Sequence, residues 1–147
     1  MAETLGSLCD KLTIVKLKQW HVDSEAKRKS LDAQEVQLRQ EIDEYVADAV
    51  AGAIPLERLS FAANKIYKKE GHALEVVAGT LGNVFSQLAE VNCRLWHEQE
   101  KVYNFENIAV EMKDAVIKQL AVLNLQRNQC IDRLNAIVQD FITGKHA

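Results

Sequence analysis

Residues 81–102, LGNVFSQLAEVNCRLWHEQEKV, decide the fold. Apolar side chains recur in this stretch at intervals of three and four residues, which places them on one face of an α-helix. The face extends back before residue 81 and consists of Leu74, Val77, Leu81, Val84, Leu88, Val91, Leu95 and Val102. This spacing predicts one long amphipathic helix that packs against other helices.

A second long helix is predicted after a turn at residues 104–107, and it runs to about Thr143. Its predicted buried face consists of Val116, Leu120, Leu123, Cys130, Leu134, Ile137 and Phe141. No stretch of the chain alternates apolar and polar residues with the period of two that a half-buried strand needs. The sequence therefore predicts an all-α fold.

The N-terminal third contains a similar pair of helices. The first has its apolar face at Leu5, Leu8, Leu12, Val15 and Val22, with Gln19 as the only polar interruption. Asp32 and Glu35 have the spacing of a capping box and predict the start of the second helix. That helix is expected to bury Leu38, Ile42, Tyr45 and Ala49 and to end at Gly52. Pro55 suits the first turn of a short helix over residues 55–70.

The two helical pairs resemble each other in sequence. Leu5-Gly6 recurs as Leu81-Gly82 and Trp20-His21 recurs as Trp96-His97, each 76 residues later. Ile42-Asp43 recurs as Ile131-Asp132 after 89 residues, which implies about 13 extra residues in the second pair. We therefore predict one domain over 1–147, a four-helix bundle of two duplicated hairpins at 4–52 and 72–143.

Charge and composition exclude several classes of protein. The net charge of −3 and the pI near 5.8 argue against a phosphate-tracking surface, so no nucleic-acid partner is expected. No apolar run reaches the roughly 20 residues of a membrane span, and no signal peptide is recognisable, so a cytoplasmic protein is expected. The three cysteines lie within apolar helical patterns, and we expect them to be reduced core residues.

Two charged residues interrupt the apolar faces of the second hairpin. Glu98 continues the first face and Arg127 continues the second, whereas the first hairpin has Val22 and Leu38 there. If the extra residues form an excursion, Arg127 lies near residues 94–98; if both helices run straight, it lies level with about Gln87. A Glu98–Arg127 pair would fix the register of the helices. The alternative is a site where the guanidinium binds an anionic ligand.

Other patterns are weaker. The repeated Trp-His could be a packing device, with the indole against the partner helix and the imidazole at the surface. His21 with Glu25 and His97 with Glu100 do not form a bridged-carboxylate motif, so we expect neither a metal nor a cofactor. Carboxylate pairs for magnesium in a helical pyrophosphatase occur only as scattered surface residues.

The motifs Leu-Trp-His-Glu at residues 95–98 and Leu-Asn-x-x-Arg-Asn at residues 123–128 resemble those of an uncharacterised bacterial all-helical family, a domain of unknown function. The resemblance covers about the last 60 residues and has a weaker echo at residues 17–21. It implies a bacterial, cytoplasmic protein without an assigned activity. The first hairpin departs from these motifs at Val22 and Leu38.

The sequence thus favours a non-enzymatic helical protein that mediates an interaction or binds a small ligand and that self-associates. An enzyme acting on a phosphorylated or otherwise anionic small molecule is the alternative; no catalytic residue is assigned. In both cases the expected ligand-binding residues belong to the second hairpin: Trp96, His97, Glu98, Glu100, Asn124, Arg127 and Asn128.

Overall fold

The computed structural model describes residues 2–62 and 77–145. Four α-helices follow one another as α1 (Leu5–His21), α2 (Glu25–Val50), α3 (Leu81–Tyr103) and α4 (Val110–Thr143). Two 3₁₀ turns lie at Leu56–Arg58 and Phe105–Asn107, and no strand occurs within the described ranges. Helix α1 contacts each of the other three helices, α3 and α4 pack along each other, and α2 packs on α1. The prediction of an all-α four-helix bundle is confirmed.

Helix α1 is fixed at its first turn by a cap and by a tertiary contact. Thr4 and Ser7 form a reciprocal capping box that satisfies two of the free backbone N–H groups. Asn135 of α4 adds to it, because its Oδ1 accepts from the backbone N–H of Gly6 at 2.7 Å and its Nδ2 donates to Thr4 Oγ1 at 2.9 Å. Gly6 permits this approach, since a Cβ there would lie 2.7 Å from the carbonyl oxygen of Ile131.

Helix α2 begins earlier than the sequence predicted. Its N-cap is Ser24, so the predicted capping box at Asp32 and Glu35 is wrong. Both carboxylates instead accept hydrogen bonds from Gln19 Nε2 of α1, at 2.9 and 2.8 Å. Of the residues expected to be buried on α2, Ala49 is buried, while Leu38, Ile42 and Tyr45 are half-buried. The half-burial follows from the position of α2, which packs chiefly on α1.

The connection between the hairpins also differs from expectation. A helix was predicted over 55–70, but its first part contains only the 3₁₀ turn at Leu56–Arg58, and residues 63–70 lie outside the described ranges. The long helix was expected to include Leu74 and Val77. Val77 precedes α3, which starts at Leu81, and Leu74 is not among the described residues.

A cluster of buried apolar side chains lies between α3 and α4. It is formed by Val84, Leu88, Cys130, Ile131, Leu134 and Ile137, with Val77 packed against it. The turn predicted at residues 104–107 is confirmed, and α3 and α4 run straight to it. Phe141, which was predicted to be buried, is 53% exposed.

Candidate ligand-binding groove

A partly buried ion pair joins the two hairpins. Arg127 of α4 donates from Nε to Asp10 Oδ1 at 2.8 Å and from Nη2 to Asp10 Oδ2 at 2.5 Å. Asp10, on α1, is 4% exposed. This two-point geometry matches a planar guanidinium to a planar carboxylate and fixes the position of both side chains.

Asn92 of α3 extends this pair into a network across three helices. Its Nδ2 donates to Asp10 Oδ1 at 2.9 Å and to Thr13 Oγ1 at 2.7 Å. Asn92 is 1% exposed, and its Oδ1 has no hydrogen-bond partner among the described residues. A buried acceptor without a donor lowers stability by about 1–3 kcal/mol. An N–H or O–H group placed beside this oxygen would remove that cost.

Asn92 lies on the wall of a groove of about 340 Å³ between α1, α3 and α4. Eight residues line this space, which we call the inter-hairpin groove: Ile14, Asn92, Leu95, Trp96, Gln99, Leu120, Asn124 and Arg127. The lining combines aliphatic side chains, one indole, three amides and one guanidinium. Its volume falls in the range of small-molecule sites, and its wall is about equally polar and apolar.

The structure brings three of the seven predicted site residues together. Trp96, Asn124 and Arg127 all line the inter-hairpin groove. The amide of Asn128 is used locally, since its Nδ2 donates to the backbone carbonyl of Asn124 at 2.8 Å. The first hairpin also contributes to the groove, because Ile14 lines it and Asp10 holds the side chain of Arg127 in position.

The other predicted residues face elsewhere. Glu98 pairs with Lys101 at 2.7 Å, so the predicted Glu98–Arg127 pair is wrong. Glu100 Oε1 accepts from the indole Nε1 of Trp96 at 2.8 Å, and its Oε2 lies 3.9 Å from Nδ1 of the exposed His97. Side chains three or four residues apart are neighbours on the surface of one helix, so Glu98 and Glu100 find their partners within α3.

The two Trp-His copies do not act as equivalent packing devices. Trp20 is 86% exposed, so the interpretation of the first indole as a buried anchor is wrong. The imidazole of His21 instead stacks on the indole of Trp96, with ring centroids 4.6 Å apart and an angle of 22° between the planes. The contact therefore combines the histidine of one copy with the tryptophan of the other.

Sequence reasoning missed Asp10, the partner of Arg127. A signal for it existed, since small polar residues recur every third position at Thr4, Ser7, Asp10 and Thr13 beside the apolar face of α1. This spacing marks a second face that also needs a packing partner. Asn135 and Asn92 provide the amides that meet it, and both are 1% exposed.

The thiols and carboxylates suggest no further chemistry at the groove. All three cysteines are free, and Cys93 is exposed, contrary to its expected place in the core. Burial and, secondarily, the Asp10 carboxylate raise the pKa of Cys9 and of Cys130 to about 11, so both remain thiols at neutral pH.

Within residues 2–62 and 77–145, no three His, Cys, Asp or Glu side chains converge in a way that could hold a metal ion.

No helix in the described part of the chain is both long and apolar enough to cross a membrane. Comparison with protein-family models, with curated proteins and with solved structures found no match in any of the three.

Proposed function

We propose that this protein is a non-enzymatic helical protein that binds a small ligand in the inter-hairpin groove. The observation that carries the proposal is the unpartnered Oδ1 of Asn92, a 1% exposed side chain in the wall of a 340 Å³ groove. A ligand that donates a hydrogen bond to this oxygen would remove the cost of the unpaired acceptor. The amide side chains of the lining can form hydrogen bonds with such a ligand, and the aliphatic side chains can pack against it.

The charges around the groove favour an uncharged ligand. Arg127 is the one charged residue in the lining, and Asp10 already binds its Nε and Nη2. The pair contributes no net charge, so an incoming anion would compete with a buried carboxylate for the same guanidinium. The Nη1 of Arg127 makes no hydrogen bond to any described residue and can donate to a carbonyl oxygen. A primary carboxamide on a small ring fits both requirements, since it donates through its nitrogen and accepts through its oxygen.

The experiment compares benzamide with benzoate, which have the same shape but differ in donor capacity and charge. Binding is followed by isothermal titration calorimetry, a readout that does not depend on the number of indoles in each variant. The proposal expects saturable binding of benzamide, weaker binding of benzoate, and loss of benzamide binding when Leu120→Trp fills the groove. Benzamide binding that persists in the filled variant would contradict it.

The alternative function is an enzyme that acts on a phosphorylated or otherwise anionic small molecule through the second-hairpin residues. The guanidinium of Arg127, which lines the same groove as Asn124, is the observation that favours it. Tighter binding of benzoate than of benzamide would support this alternative, because only the anion gains from the guanidinium charge.

We also propose that the chain self-associates through the end of the second hairpin. Four large apolar side chains are exposed near the turn between α3 and α4: Tyr103 at 75%, Val110 at 77%, and Met112 and Ile117 at 55% each. Large exposed apolar side chains are candidates for contacts between copies of the protein. Sedimentation velocity over a hundredfold range of concentration tests the proposal, and Ile117→Glu should shift the protein towards the monomer.

The duplication and the cellular origin remain proposals as well. The helix starts support duplication, since α1 and α3 begin 76 residues apart and each follows a threonine N-cap, Thr4 and Thr80. A bacterial, cytoplasmic protein is proposed on the resemblance of the motifs at residues 95–98 and 123–128. Localisation of the tagged protein in bacterial cells would test that origin.

A further inference from the structure

A second space lies on the other side of Trp96, between the end of α1 and the start of α2. It has a volume of about 420 Å³, and we call it the basic cleft. Its lining comes from three helices: α1 provides Lys18 and His21, α2 provides Lys27 and Leu31, and α3 provides Trp96. The cleft is separate from the inter-hairpin groove in every lining residue except Trp96.

The charges of the basic cleft contrast with those of the protein. Lys18 and Lys27 make no ion pair with any described residue, while Asp23 is the only carboxylate in the lining. The lining therefore carries two ammonium groups and one carboxylate, although the chain as a whole has a net charge of −3. Lys27 also lies in the first turn of α2, where the helix dipole favours a bound anion.

One part of the cleft wall is apolar. Leu31 is 8% exposed, and Val22 and the indole of Trp96 extend this surface. Nδ1 of His21 donates to the backbone carbonyl of Leu17 at 2.8 Å, since a carbonyl can only accept. That bond and the stacking on Trp96 hold both rings in place before any ligand arrives. A preformed surface loses little entropy when a flat ring packs on it.

We propose that the basic cleft binds an aromatic monoanion, a flat ring system that carries one carboxylate or sulfonate group. The ring packs on Leu31 and the edge formed by Val22 and Trp96, and the anionic group lies between the ammonium groups of Lys18 and Lys27. This site is independent of the neutral-ligand groove. Lys18 and Lys27 supply the positive charge at this site, whereas the charge of Arg127 in the inter-hairpin groove is neutralised by Asp10.

The test uses 1-naphthalenesulfonate and its neutral isostere 1-naphthalenesulfonamide, titrated into the full chain and measured by calorimetry. The sulfonate should bind more tightly, and rising salt should weaken it selectively, since screening acts on exposed charges. Lys18→Gln with Lys27→Gln should weaken sulfonate binding by about three- to thirtyfold, because each exposed ion pair contributes only modestly. The matched control, Lys29→Gln with Lys118→Gln, removes the same charge outside the cleft and should leave the affinity unchanged.

Two further variants locate the binding. Ser30→Trp places a large ring in the cleft and should abolish sulfonate binding, whereas Leu120→Trp fills the inter-hairpin groove and should not affect it. Circular dichroism confirms that each variant folds. Equal affinity for the sulfonate and the sulfonamide, or equal weakening by the two lysine pairs, would overturn the proposal. Loss of sulfonate binding in Leu120→Trp alone would assign the probe to the groove instead and would also overturn it.

Discussion

Arg127 and Asp10 lie 117 residues apart in sequence, and their side chains form the two-point ion pair that joins the hairpins. The side chain of Asp10 is 6% exposed and that of Arg127 is 30% exposed. Burying a carboxylate is costly unless a cation and further donors compensate for the lost water. Asn92 supplies an additional donor, so the same network that orients the groove also carries the contact between hairpins.

Replacing Arg127 should therefore lower the free energy of unfolding, whereas the sequence alone suggested little or no loss. Arg127→Leu restores an apolar helix face but leaves Asp10 unpaired, and we expect a loss of about 3–5 kcal/mol in the free energy of unfolding. The double change Asp10→Leu, Arg127→Leu should recover most of that loss, because no buried charge remains. Urea denaturation measures both, with Glu98→Gln as the control. That control changes only the pair with Lys101 and should cost less than about 1 kcal/mol. A double variant as unstable as the single one would contradict this account.

The two glycines of the repeated Leu-Gly motif should respond differently to alanine. At Gly6 a Cβ would lie 2.7 Å from the carbonyl oxygen of Ile131 and 2.8 Å from Asn135 Oδ1, which forces α1 away from α4. Gly6→Ala should therefore destabilise the protein by about 1–3 kcal/mol. Gly82→Ala meets nothing within 4 Å and should be neutral or stabilising by up to about 1 kcal/mol. Thermal unfolding of the two variants provides the comparison, and equal effects would show that Gly6 does not limit the packing.

Periodicity predicted the four helices and the turn between α3 and α4, because both depend on the spacing of apolar residues along a helix. It failed where polar residues pair across helices. Asp32 and Glu35 have the spacing of a cap, but the side chain that they bind is Gln19 of another helix. For the same reason the pattern offered Glu98, the polar interruption of the neighbouring apolar face, as one possible partner of Arg127, and Asp10 was missed. A one-dimensional pattern does not define how α1 lies across α3 and α4.

The two histidines of the repeated Trp-His motif should also be unequal, with the first contributing more to stability. His21 stacks on Trp96, and such ring pairs contribute about 0.5–1.5 kcal/mol, so His21→Ala should reduce the free energy of unfolding by about that amount. His97 is exposed on α3, and His97→Ala should change it by less than about 0.5 kcal/mol. Chemical denaturation measures both changes. A larger effect from His97 would show that the stack contributes little.

The contact between α1 and α2 should weaken in acid. Hydrogen bonds from Gln19 and then from Lys16 lower the pKa of Glu35 from its usual value of 4.5. A lowered pKa means that the native state binds fewer protons than the unfolded chain, so this contribution is present above about pH 4.5 and is lost as the pH falls. Glu35→Gln should therefore reduce the slope of the unfolding free energy between about pH 3 and pH 5. The exposed Glu57→Gln is the control, and equal slopes in the two variants would contradict the assignment.

The most direct test of the central claim is an NMR titration of the ¹⁵N-labelled protein with benzamide. We expect saturable shifts concentrated at the side-chain amides of Asn92 and Asn124 and at the indole N–H of Trp96, because these groups line the inter-hairpin groove. The same titration of the Leu120→Trp variant should give no saturable shifts. Shifts that are scattered over the surface, that fail to saturate, or that persist in the filled variant would contradict binding in the groove.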